Sequence, residues 1–203
     1  MPLGYKTVPP LWLFGYHGRP AGLEPEVMTV PDNAPGYVTA LLRHFVDLRD
    51  NTHGGSTSRQ DKEEHFARAV ELLGPVASQV LGEMNTLLLL ESGRIAGTGL
   101  RRAPDGGLVA SWALSWPEQH AAGVSPVLLM AHYGVGTHHP HLRGATVRDW
   151  PLNVFTRSDA AEQLSILRAI VSADLHNLVF EADYTIVPVV VRGHSSSEAT
   201  GGT

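Results

Sequence analysis

Four histidines, His132, His138, His139 and His141, fall within ten residues in the run Ala-His-Tyr-Gly-Val-Gly-Thr-His-His-Pro-His. Imidazole is the commonest protein metal ligand and exchanges protons near neutral pH. Gly134 to Thr137 has the composition of a hairpin turn. A turn centred near Val135-Gly136 sets His132 opposite His139 and Tyr133 opposite His138, with Cβ atoms about 5 Å apart in each pair. Strand alternation then puts His139 and His141 on one face with His132 beside them. A one-residue slip would set His132 against His138 instead. Three imidazoles converging on one face suit a divalent ion that keeps a position open for water or substrate.

Carboxylates stand nearby. Asp149 follows His141 by eight residues and Asp159 lies at the start of a helical pattern. Either can complete a two-His-one-carboxylate set or orient an imidazole from behind. Glu91 and Glu118 are more distant alternatives. The reading assigns His139, His141 and Asp159 as metal ligands, with His132 and Asp149 as the proton-transferring pair. Arg143 and Arg148 are the candidates for holding an anionic substrate, because guanidinium meets carboxylate and phosphate bidentately. The metal would be zinc, iron or manganese. A plainer reading makes Thr137–Gly144 a polar loop whose histidines bond backbone carbonyls, with Pro140 removing a ladder donor. His17, His44, His53, His65, His120, His176 and His194 belong to no motif.

The order His139-Pro-His141 then Thr156-Arg-Ser-Asp159 resembles the His-x-His and Ser-x-x-Asp elements of JAMM metallopeptidases. That resemblance implies zinc on His139, His141 and Asp159. The proline inside the pair and the longer gap to Asp159 depart from the pattern, so membership is not assigned.

Composition narrows the classes. The 203 residues are 43% hydrophobic and 17% charged, with a net charge of −5. A mildly acidic chain without a Lys/Arg cluster lacks the electrostatic footprint of a nucleic-acid binder. The absence of cysteine excludes disulfides, thiolate zinc sites, iron–sulfur clusters and a cysteine nucleophile. Two lysines, Lys6 and Lys62, stand against thirteen arginines, a skew typical of high-GC bacterial coding. Met1–Pro10 has no apolar core of a secretory signal, and no stretch reaches the roughly 18 apolar residues of a membrane span. A cytoplasmic bacterial protein is expected. Gly93, Gly97 and Gly99 do not form a dinucleotide fingerprint, and neither a phosphate-binding loop nor a nucleophile elbow occurs.

The elements that must position the histidines follow from periodicity. Leu11–Tyr16 reads as a buried strand and residues 20–36 as irregular chain. Val38, Leu41, Leu42, Phe45 and Val46 recur at helical spacing over Gly36–Asp50. Ser58–Asp61 opens a second helix whose stripe runs from Phe66 to Leu81, with a kink expected at Gly74-Pro75. Strands are predicted at Thr86–Leu90, Arg94–Arg102, Leu108–Trp116 and Pro126–Tyr133, and shorter ones at Ala145–Val147 and Leu152–Phe155. Pro104-Asp-Gly-Gly107 supplies a hairpin turn. A long helix capped by Thr156 or Ser158 runs past Leu178, and Tyr184–Val191 reads as a last strand. Residues 195–203 form a polar tail expected to be disordered.

The sum is one α+β domain over residues 1–194, a mostly antiparallel sheet packed against two N-terminal helices and one long C-terminal helix. The function expected is a metal-dependent enzyme, hydrolytic by preference, acting on a small-molecule substrate and engaging neither nucleic acid nor membrane, with homo-oligomers allowed. The alternative is a non-catalytic accessory or small-ligand-binding protein of a bacterial biosynthetic pathway. In that case Trp112, Trp116, Trp150 and the 134–144 loop would form a contact surface. A third use of the histidines is acid–base catalysis without a metal.

Overall fold

A computed structural model describes residues 34–195; the expected strand at Leu11–Tyr16 and the tail beyond residue 195 lie outside them. The elements run α1 (Gly36–Asp50), α2 (Arg59–Leu88), β1 (Arg94–Gly97), β2 (Arg101–Arg102), β3 (Leu108–Ser115), α3 (Pro117–Ala122), β4 (Val127–Tyr133), β5 (His141–Arg143), β6 (Trp150–Pro151), α4 (Arg157–Glu162), α5 (Leu164–Glu181), a 3-10 turn (Tyr184–Ile186) and α6 (Pro188–Ser195). The sheet is antiparallel throughout, in the order β1-β3-β4-β5-β6, with β2 also on β3. The α+β class read from the sequence is the class observed.

Local chemistry explains the boundaries. Ser58 caps α2 by accepting from the Asp61 N–H at 3.1 Å, and Thr156 caps α4 through the Asp159 N–H at 3.1 Å. The β2–β3 hairpin closes where expected, with Gly106 at φ +86° in its turn. Pro75 sits inside α2 without ending it.

The buried stripe of α2, from Phe66 through Leu73, Val80 and Leu81, meets Leu167, Val171 and Leu178 of α5 and the inward residues of β3 and β4 in one core. Along β4 burial alternates: Val127, Leu129, Ala131 and Tyr133 point into that core, while Leu128, Met130 and His132 are only half-buried on the other face. Asp174 of α5 is fully buried and ties the layers together. Its carboxylate accepts from the N–H groups of Leu128, Ala145 and Thr146 and from the Thr146 hydroxyl.

Several segments differ from the sequence reading. Ala145–Val147 and Leu152–Phe155 form no strand: Asp174 takes the Ala145 and Thr146 N–H groups, and the sheet pairs Trp150-Pro151 (β6) between them instead. The expected strand Arg94–Arg102 is split into β1 and β2. The apolar run Thr86–Leu90 is not a strand: α2 continues through Leu88, and Leu89 is buried as its C-cap. A short apolar run fits a buried helix end as well as a strand. Tyr184–Val191 also forms no strand. Asp183 accepts from the Thr185 N–H to start a 3-10 turn, and Pro188 opens α6, its fixed φ suiting a first helical residue. No helix among the described residues is long and apolar enough to cross a membrane.

Candidate metal centre

α1 presents polar residues inward. Its buried residues are His44 and Asp47, three apart and so on one face. Phe45, which the apolar stripe placed inside, is 55% exposed. Just past the helix, Asn51 takes a left-handed conformation and the chain returns as the loop 51–58. That loop carries buried His53 and is pinned from three sides. The Thr52 hydroxyl donates to Asp47 Oδ1 at 2.7 Å, buried Lys62 donates to the Asn51 carbonyl at 3.0 Å, and the His53–Ser56 bridge closes the tip. At Gly54, with φ +59°, any Cβ would lie 2.4 Å from the Phe155 ring, so only glycine fits there.

The third contribution comes from the β4–β5 connection. In the ladder His132 pairs with His141, not with His139 or His138. Gly134–Pro140 is therefore a seven-residue loop rather than a tight hairpin. Arg59 holds the near end of that loop. It donates to the carbonyls of Tyr133 and Gly134 at 3.2 and 2.9 Å and lies 3.6 Å from the Tyr133 ring centre. Pro140 offers no ladder donor, its carbonyl accepts from Leu152, and His139 turns inward to 1% exposure.

The result is a group of ligand atoms from Asp47, His53 and His139 within 4.8 Å of one another, all three residues buried. Asp47 Oδ2 and His53 Nδ1 are 3.9 Å apart. Among the described residues neither atom has a hydrogen-bond partner, nor does His44 Nδ1 or either ring nitrogen of His139. An unsatisfied buried polar atom costs about 1–3 kcal/mol. Five in one place rival the whole net stability of a domain, about 5–15 kcal/mol. Burial pushes the imidazolium form out as well. It takes His53 down to about 3 and His139 to about 4, in each case helped by a neighbouring imidazole, and it lowers His44 and His141. Neutral imidazoles beside a carboxylate whose other oxygen is anchored by a hydroxyl are the protonation states a divalent ion binds.

Around this set the rings form a continuous run. His44 meets His139 edge-on at 4.8 Å and His141 at 5.6 Å, His53 meets His139 at 5.6 Å, and His132 stacks on His141 at 5.8 Å. The run ends at the surface, where His132 Nε2 is 2.7 Å from Asp149 Oδ1.

Of the residues singled out from sequence, His132, His141 and Asp149 thus come together, and His139 joins a different set. Asp159 is not brought to His139 and His141. Its Oδ2 accepts from the N–H groups of Phe155 and Thr156 as part of the α4 cap, although it lines the same cleft as Asp47. His138 is exposed and bonds Asn51. Arg143 and Arg148 are exposed, and among the described residues they line none of the three clefts bordered by Asp47, Arg43 or His138. Trp116 is core, its indole donating to the Ile186 carbonyl. His44, Asp47 and His53 belong to no sequence motif; the one signal they carry is His44-x-x-Asp47 on one helical face followed by His53. No family model, curated protein or solved structure matches the chain.

Proposed function

We propose that the protein is a metal-dependent enzyme, hydrolytic in type, with Asp47, His53 and His139 as the protein ligands. One observation carries this reading: three buried nitrogen and oxygen donors of ligand type share one spot and have no other partner among the described residues. Two imidazoles and a carboxylate suit zinc, iron or manganese, and three protein ligands leave coordination positions open. A divalent ion held there supplies the chemistry of lowering the pKa of water and polarising a carbonyl or phosphoryl oxygen.

The surrounding residues have definable parts in this reading. Thr52 fixes which carboxylate oxygen of Asp47 faces the ion. His132, paired with Asp149 and partly exposed, is where protons exchange with solvent. It stands behind His141 and His44, so it acts through them rather than on the reacting atoms.

The test is turnover of p-nitrophenyl esters and phosphates by protein loaded separately with zinc, iron and manganese. The reading expects hydrolysis by at least one loaded form, abolished in Asp47→Asn and His139→Ala. Metal-loaded protein that hydrolyses neither class, or variants as active as wild type, would count against it.

A further inference from the structure

Beside the donor set lies a cleft of about 560 Å³ whose wall includes Asp47, so the cleft touches the proposed centre through that one residue. Two guanidinium groups line the cleft: Arg43, from the turn of α1 that carries His44, and Arg68, from α2. Both are exposed, and among the described residues neither makes a hydrogen bond or an ion pair. The two acids of the cleft are committed elsewhere. Asp47 is held by Thr52 and faces His53, and Asp159 accepts the two cap N–H groups.

The remaining wall is also suited to a ligand. The Phe155 ring lies 5.6 Å from the Arg43 guanidinium carbon, an apolar face next to a cation. Gly54 and Gly55, both at positive φ, carry N–H groups that find no backbone acceptor among the described residues. Two unpaired guanidiniums and free amides around one opening are donors without acceptors. Arginine's planar fork matches an oxyanion bidentately.

We infer that this cleft binds the anionic group of a small-molecule substrate, a carboxylate or a phosphate, through Arg43 and Arg68, and presents the rest of that molecule to the Asp47 side. The inference rests on the proposed metal centre for its chemistry but not for the binding itself. It replaces Arg143 and Arg148 as the anion-holding pair.

The test is isothermal titration of the full chain with inorganic phosphate and, separately, malonate, alongside metal analysis of each sample. Wild type should bind at least one of the two. Arg43→Gln/Arg68→Gln should weaken that binding tenfold or more while keeping the wild-type metal content, and Arg43→Lys/Arg68→Lys should fall between. The arm that responds tells phosphate from carboxylate. No binding of either anion, or equal binding by the glutamine variant, overturns the cleft assignment and leaves the metal centre standing. Arginine-dependent binding by protein that takes up no metal supports the cleft and fails the centre instead. Both arginines are exposed, and matching thermal melts identify variants that fold.

Discussion

Asp47 Oδ2 lies 3.9 Å from His53 Nδ1, too far for a hydrogen bond, with neither atom partnered elsewhere among the described residues. Two ligands about 2.1 Å from one ion at a tetrahedral angle stand about 3.4 Å apart. The pair therefore needs only a small contraction to share a metal. The loop between them is short, and Thr52 and Lys62 already hold its two sides.

Acid should destabilise the metal-free protein through these histidines. In the folded chain His53 is held down at about 3 and His139 at about 4, whereas the unfolded chain titrates each near 6.5. Their contribution is complete above about pH 6.5. It is lost as pH falls from there toward 4 and 3, because only the unfolded chain takes up the protons, at up to about 1.4 kcal/mol per pH unit for each group. Denaturant melts in chelator between pH 4.5 and 8 check this. His53→Gln/His139→Gln should flatten the acid limb, and parallel profiles for variant and wild type would refute it.

Arg59 should tune the centre without touching it. It grips the Tyr133 and Gly134 carbonyls at the start of the loop that carries His139. Removing a group that orients a ligand typically costs ten- to a hundredfold in metal affinity. Arg59→Ala is expected to weaken metal affinity about tenfold in a competition titration, with one site retained. Unchanged affinity in a folded variant would contradict that role.

Asp174 is the structural counterpart. Fully buried, it accepts three backbone N–H groups and one hydroxyl, holding the start of β4 and the chain after β5 to α5. Asp174→Ala orphans those donors and should cost on the order of 3 kcal/mol in a chemical melt. Metal stoichiometry should survive at temperatures where the variant stays folded. A loss below about 1 kcal/mol would show the network to be dispensable.

Much of the fold was legible because its signals are local. Ser58 and Thr156 mark helix starts, and Asp-Gly-Gly marks the β2–β3 turn. The steps of three and four from Phe66 to Leu81 mark a buried stripe. Thr86–Leu90 and Tyr184–Val191 misled because β-branched and apolar runs report burial more than backbone state. The centre was half legible. His139 stood out in its cluster, but His53 and Asp47 lie 86 and 92 residues before it, and only the tertiary fold brings them together. On α1 the apolar pattern pointed to Phe45, while the structure turns His44 and Asp47 inward. The loop length between β4 and β5 was the other missed quantity: with seven residues instead of a tight turn, His132 meets His141 and frees His139 for the interior.

The central claim is the metal, and elemental analysis of the purified, exhaustively dialysed full chain tests it most directly. About one equivalent of zinc, iron or manganese per chain is expected in wild type, falling below a tenth in His53→Ala and His139→Ala and unchanged in His138→Ala. Metal-free wild type whose melting temperature ignores both added metal and chelator, or full occupancy in the His53 and His139 variants, would contradict it.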